Sequence, residues 1–208
     1  MPITGETPPP LDETARAILE AASKRFLHYG YGKTTMSEIA GDCNMSTGNL
    51  YRYFASKLDI AEAFVRQLRA EQIQRLRDAA GAPGLSTPER LRAFFRKKLK
   101  LVYDRFHSRP KAYELSQEIL KERLAFAEEW EKAESRVICE ILEQGEMLGD
   151  FPVCNRTRAA RILQDAFFRF TSSAVYFEGD YEVLVQELDD LMDLILDGFA
   201  HRISRGES

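Results

Sequence analysis

Residues 30–60 read GYGKTTMSEIAGDCNMSTGNLYRYFASKLDI, and the fold turns on how this stretch is punctuated. Thr35 or Ser37 can cap a helix of about Glu38 to Cys43, in which Ile39 and Ala40 face inward. Ala40 is small where a second helix must cross closely. Asn44 follows, one of the few non-glycine residues that tolerate a left-handed turn, and then Met45 as an apolar plug. Ser46 or Thr47 caps a second short helix, Gly48 to Phe54, with Leu50 and Phe54 four apart and pointing to a core. The pattern predicts a helix-turn-helix. It leaves Thr47, Gly48, Asn49, Tyr51, Arg52 and Tyr53 facing out. A helix that served only a core would not expose two tyrosines, an arginine and an asparagine in under three turns. A reader of the DNA major groove would, because its N-terminal residues meet base edges while hydroxyls and cations reach phosphates.

Outward from this stretch the chain is helical. Ile18, Ala21, Ala22, Phe26 and Tyr29 recur at threes and fours over Thr14 to Tyr29, and Gly30 can close that helix. Ser56 caps a longer helix to about Arg77, with Ile60, Ala63, Phe64, Gln67 and Leu68 in step. Gly81 to Pro88 is the candidate boundary. Ser86 or Thr87 with Pro88 then starts a helix carrying Leu91, Phe95, Leu99, Val102 and Phe106, broken at Arg109-Pro110. A short helix from Lys111 precedes a long one whose buried face is Leu124, Ala127, Trp130, Val137, Ile141 and Leu148. Two last helices, about Arg156 to Phe177 and Tyr181 to Ile203, are apolar over more than one face. Such helices need two partners, one of them outside the subunit. No strand alternation and no fixed-period repeat is present. The expected architecture is all-α: an arm at 1–10, a helix-turn-helix domain at 11–55, a connecting helix at 56–80, and a regulatory and dimerisation domain at 81–208.

Phe26, Gly30-Tyr31, Thr34-Thr35, Ile39-Ala40, Ser46, Leu50-Tyr51, Tyr53-Phe54 and Ser56-Lys57 together resemble the N-terminal signature of the TetR family of transcriptional regulators. The likeness covers roughly the first third of the chain. It departs at Asn44, where the family usually has Gly, and at Cys43, where it usually has Ala; both substitutes are sterically compatible with the turn. The resemblance implies that Thr35, Tyr51, Tyr53 and Lys57 contact phosphates and that Thr47, Gly48, Asn49 and Arg52 face base edges. It also implies a homodimer through the last two helices, an inverted-repeat operator in double-stranded DNA, and a small apolar effector enclosed by the C-terminal domain. Candidate walls for that effector are Tyr103, Phe106, His107, Tyr113, Phe126, Trp130, Phe167 and Phe170.

Composition limits the alternatives. The net charge of −4 is unusual for a nucleic-acid binder, but the acid is concentrated after residue 125 and the N-terminal part is neutral. A strongly salt-driven, non-specific binder is disfavoured. The first residues are acidic and Pro-rich where an export signal would be basic and then apolar, and no apolar run suffices for a bilayer, so a cytoplasmic protein without membrane contact is expected. Cys43, Cys139 and Cys154 are widely spaced and read as incidental thiols. His28, His107 and His201 are scattered, so neither metal, cofactor nor enzymatic site is expected. Gly32-Lys33-Thr34 imitates the end of a P-loop, but Leu27 stands where the first glycine is required. Arg96-Lys97-Lys98 with Lys100 reads as a solvated helix face.

Overall fold

A computed structural model describes residues 12–108, 110–122, 124–150, 155–171 and 179–203, with the side chains at 106–108, 110, 120, 124, 125, 127 and 199–203 outside that set. The described chain is helical: α1 (Glu13–His28), α2 (Met36–Asp42), α3 (Thr47–Leu50), α4 (Lys57–Ala80), α5 (Thr87–Ser108), α6 (Pro110–Glu122), α7 (Leu124–Leu148), α8 (Arg156–Ala166), α9 (Phe168–Thr171) and α10 (Tyr181–Ile203). No strand occurs among the described residues. The expected arm at 1–10 lies outside them.

Short polar side chains set the helix starts. Asp12, Thr35, Ser46, Ser56 and Asn155 each accept a backbone N–H from the first turn of α1, α2, α3, α4 and α8, satisfying donors that a helix start otherwise leaves open. At α5 it is Ser86 that engages Glu89, through its backbone N–H at 2.7 Å and its hydroxyl at 2.6 Å. Thr87 is instead fully buried.

Two apolar cores form. One joins α1, α2, α3 and the first turns of α4, around Ile18, Phe26, Ile39, Leu50, Phe54 and Ile60, and it also takes in Leu115 and Ile119 of α6 and Phe126 of α7. The other joins the end of α4 to α5, α7, α8, α9 and α10, around Leu76, Phe94, Phe95, Leu99, Ile138, Phe167 and Leu188. Thus α4 runs through both cores, and α6 is wedged against α1, α4 and α5.

Three local expectations change. The helix expected unbroken over 156–177 breaks at Phe167, with φ −92° and ψ 7°; residues 172–178 lie outside the described set. Phe167 stacks on Phe95 at 4.2 Å, and the Phe170 N–H donates to the Phe167 carbonyl. That three-residue turn brings the two phenylalanines nearly into line, and both are buried in the core. Leu148, expected on the buried face, is 72% exposed at the last position of α7. The basic stretch of α5 is not simply solvated: Arg92 and Arg96 both bind Asp189 of α10, and Lys98 turns inward to Glu134 of α7 at 2.5 Å.

Candidate functional site

The turn between α2 and α3 follows from Asn44, whose φ of 52° is the one positive value among described non-glycine residues. Its left-handed backbone lets the Met45 N–H return to the Ala40 carbonyl at 3.0 Å, closing α2 and redirecting the chain into the Ser46 cap. Thr35 and Glu38 form a reciprocal capping box at the start of α2. Arg25 of α1 grips Asp42 through two bonds of 2.5 and 2.9 Å and reaches Glu38 at 3.3 Å. This pair lowers the Asp42 carboxyl below its ordinary range, chiefly through the hydrogen bonds from Arg25. Together these contacts fix α2 against α1.

On this frame α3 is shorter than expected. It is α-helical over Thr47–Leu50, and the chain then tightens, the Arg52 and Tyr53 N–H groups donating to carbonyls three residues back, before Phe54 returns to the Leu50 carbonyl. Leu50 and Phe54 are buried, while Tyr51 is 51% and Tyr53 39% exposed. Arg52, Gly48 and Thr35 are exposed as well, with Thr47 and Asn49 half-buried. A Cβ on Gly48 would meet only the Ser46 hydroxyl, at 4.0 Å, so the subunit's own packing does not require glycine there.

Lys57 is placed differently from an open surface cation. Its ammonium donates to the carbonyls of Tyr31 and Thr34, both at 2.8 Å, and lies 4.3 Å from the Tyr31 ring centre. Burial pulls this lysine below its usual pKa. Two of its three donors therefore tie the start of α4 to the loop before α2, and one remains for an external acceptor. Sequence pattern did not reveal this anchoring role, because the acceptors are backbone carbonyls more than twenty positions away. Of the thiols, Cys43 and Cys139 are free and half-buried, and burial raises the Cys43 pKa, which keeps it protonated. Cys154 lies outside the described residues.

A second feature is a cavity of about 430 Å³ walled by α4, α5, α6, α7, α8 and α9. Of the expected effector walls, Tyr113, Phe126 and Trp130 line this cavity. Phe167 and Phe170 do not; they belong to the second core, where Phe167 stacks on Phe95. Tyr103 rests on Tyr181, ring centres 5.1 Å apart. Phe106 and His107 lie outside the described side chains. The walls include polar groups that no apolar stripe could signal, notably Arg69, Gln72, Lys98, Arg105, Gln117 and Glu134. Arg69 lies over the Trp130 ring at 4.3 Å. Burial and the neighbouring Arg105 bring its guanidinium down to about 9, so it remains charged at neutral pH.

A capped tri-helical head with an exposed polar turn, set on a larger helical body with a cavity, matches known proteins at both ends. A family model described as bacterial regulatory proteins, tetR family, matches residues 18–64, and one described as tetracyclin repressor-like, C-terminal domain, matches residues 87–192. The chain belongs to the TetR family. Among TetR relatives it is similar to the uncharacterised HTH-type transcriptional regulator YhgD of Bacillus subtilis, 36% identical over 81 residues, covering 38% of this chain and 42% of that protein. It is also similar to the repressor BepR of Brucella suis, 37% identical over 68 residues, 33% of this chain and 32% of that protein. The matched stretch thus spans less than half of either relative. Among solved structures, FadR of Thermus thermophilus, a TetR-family repressor in complex with lauroyl-CoA, is 26% identical with a TM-score of 0.61, covering 88% of this chain and 94% of that one. A transcriptional regulator of Pseudomonas aeruginosa has the same fold at 16% identity and a TM-score of 0.68, covering 90% and 92%. TetR proteins are helix-turn-helix transcriptional regulators, and the described helices include none long and apolar enough to cross a membrane.

Proposed function

We propose that this TetR regulator binds an inverted-repeat operator as a homodimer, represses transcription there, and is released by a small, largely apolar effector held in the cavity. The observation that carries the DNA-binding part is the exposure of Tyr51, Arg52 and Tyr53 on one turn whose opposite side, Leu50 and Phe54, closes the core. Thr47, Gly48, Asn49 and Arg52 would meet base edges, with Thr35, Tyr51, Tyr53 and the remaining donor of Lys57 on phosphates. The spare room at Gly48 suits close approach of a backbone to the groove.

One reading turn covers too few base pairs for specificity, and a two-fold dimer supplies a second one ~34–36 Å away. Support for a dimer surface on the last helices comes from Ile162, Phe168, Val183 and Leu194, apolar side chains of α8, α9 and α10 that are between 56% and 72% exposed in the single subunit. Support for release comes from α6 and α4. Tyr113, Ser116 and Gln117 face the cavity while Leu115 and Ile119 sit in the head core; Arg69, Gln72 and Leu76 face the cavity while Ile60 and Phe64 sit in the head core. A ligand that moves either helix moves the head, and one that favours a spacing unfit for the operator releases DNA. The Thermus relative's lauroyl-CoA supports a ligand-holding body in this fold. Selection of bound sequences from a random duplex pool tests the proposal. Enrichment of an inverted repeat is expected, and recovery of no common motif overturns it.

A further inference from the structure

The cavity described above is charged in a way that folding does not require. Arg69 and Arg105 both line it; burial lowers both guanidiniums, and the charge of Arg105 lowers Arg69 further. Among the described residues no carboxylate forms an ion pair with either. Glu134, the carboxylate buried in the same wall, attracts both arginines from a distance but is bound to Lys98. Asp165 at the rim faces Arg161 at 4.0 Å, and Glu131 is exposed. Three cations, Arg69, Arg105 and Lys98, thus share the one buried carboxylate of Glu134, and the positive charge left over in this half-buried place opposes folding. An anion between the two arginines relieves that cost.

The rest of the wall is apolar, through Leu76, Leu101, Val102, Phe126 and Trp130. An organic cation, the usual guest of an aromatic wall, finds the ring faces taken, because Arg69 covers Trp130 and Arg66 covers Phe126 at 4.9 Å. We infer that the cavity binds an amphipathic carboxylate, its carboxyl group between the guanidinium forks of Arg69 and Arg105 and its apolar body along Leu101, Val102 and Phe126. The planar forks suit a planar carboxylate through paired N–H donors. The space available, about 430 Å³, lies within the range of small-molecule sites. This inference rests on reading the cavity as the effector site and adds to it the charge of the ligand's head.

The chain's single tryptophan is Trp130, so its emission reports the cavity alone. Titration of the full-length protein with decanoate, decanol and decyltrimethylammonium compares the three head charges on one chain length. Decanoate is expected to shift Trp130 emission saturably, with at least tenfold higher affinity than decanol, and Arg69→Gln and Arg105→Gln are each expected to remove that advantage. The Arg105 variant keeps the Arg69–Trp130 stacking, so it separates head-group recognition from direct loss of that contact, and thermal melts confirm that both variants fold. Equal affinity for decanoate and decanol, tighter binding of the ammonium, or an unchanged preference in both variants overturns the inference. DNA selection with the same protein is independent: an enriched operator with no carboxylate preference sinks this inference alone, whereas carboxylate binding without an operator sinks the regulatory reading and leaves the charge of the site established.

Discussion

Replacing Lys57 by Met separates anchoring from DNA contact at one residue. Its ammonium makes two hydrogen bonds of 2.8 Å to the Tyr31 and Thr34 carbonyls and lies 4.3 Å from the Tyr31 ring centre. Charge-assisted bonds contribute about 1.5–3 kcal/mol each, but water can partly re-solvate carbonyls on this half-buried loop, and Met keeps most of the apolar stem. The net loss should be about 2 kcal/mol. For a chain of this length that lowers Tm by roughly 4–8 °C. Far-UV circular dichroism melts measure it, with Lys33→Met, an exposed cation in the same loop, as the control expected to stay within about 0.5 kcal/mol. Below the variant's Tm, a salt titration of operator binding reads the third donor: losing one phosphate contact per subunit lowers the slope of log K against log salt by about 0.9 per subunit. A Lys57→Met melt indistinguishable from wild type would refute the anchoring geometry, since an ammonium bridging two carbonyls cannot be removed without effect.

Three further outcomes follow from named contacts. Tyr51→Ala and Arg52→Ala should each weaken operator binding by about 1 kcal/mol or more in a gel-shift titration while leaving the melt unchanged; full affinity in both would remove the basis for the reading turn. Asn44 holds φ 52°, so Asn44→Ala should lose about 1 kcal/mol of stability and Asn44→Gly almost none, and an Ala variant as stable as the Gly variant contradicts the left-handed turn. Asp189 should produce an acid-side effect: burial would raise its carboxyl pKa, but hydrogen bonds from Arg96 and Arg92 outweigh burial and lower it. A depressed carboxylate contributes stability above its unfolded pKa of about 3.9 and loses it as pH falls through the folded value. Wild type should therefore out-melt Asp189→Asn at pH 7, by about 1 kcal/mol after allowing for screening at the half-exposed Arg96. The gap should start to narrow below about pH 4 and vanish once the pH is below the folded value, and a gap that does not narrow on this descent would show that charge is not its source.

The head was legible because its determinants are local. A cap, a left-handed asparagine and an apolar pair four apart act over a few bonds, so Ser46, Asn44 and the Leu50–Phe54 pair declare themselves in one dimension. The end of α3 was less so: tightening after Leu50 depends on Phe54 reaching a core built by α1 and α4. Lys57 shows the same limit, since a lysine beside a helix start reads as a free cation until its carbonyl partners are known.

What the chain's order of residues determined by itself was the succession of helices, their starts, and which turn carries polar groups outward, all consequences of backbone sterics and of hydrogen bonds a few residues long. Tertiary packing alone decided which buried aromatics became solid core and which became cavity wall. Phe167 and Tyr113 carry the same apolar signal, yet Phe167 meets Phe95 face to face while Tyr113 faces open space. The charge of that space was equally hidden, because Arg69 and Arg105 sit thirty-six positions apart on α4 and α5 and come to line one cavity only when the two helices pack side by side.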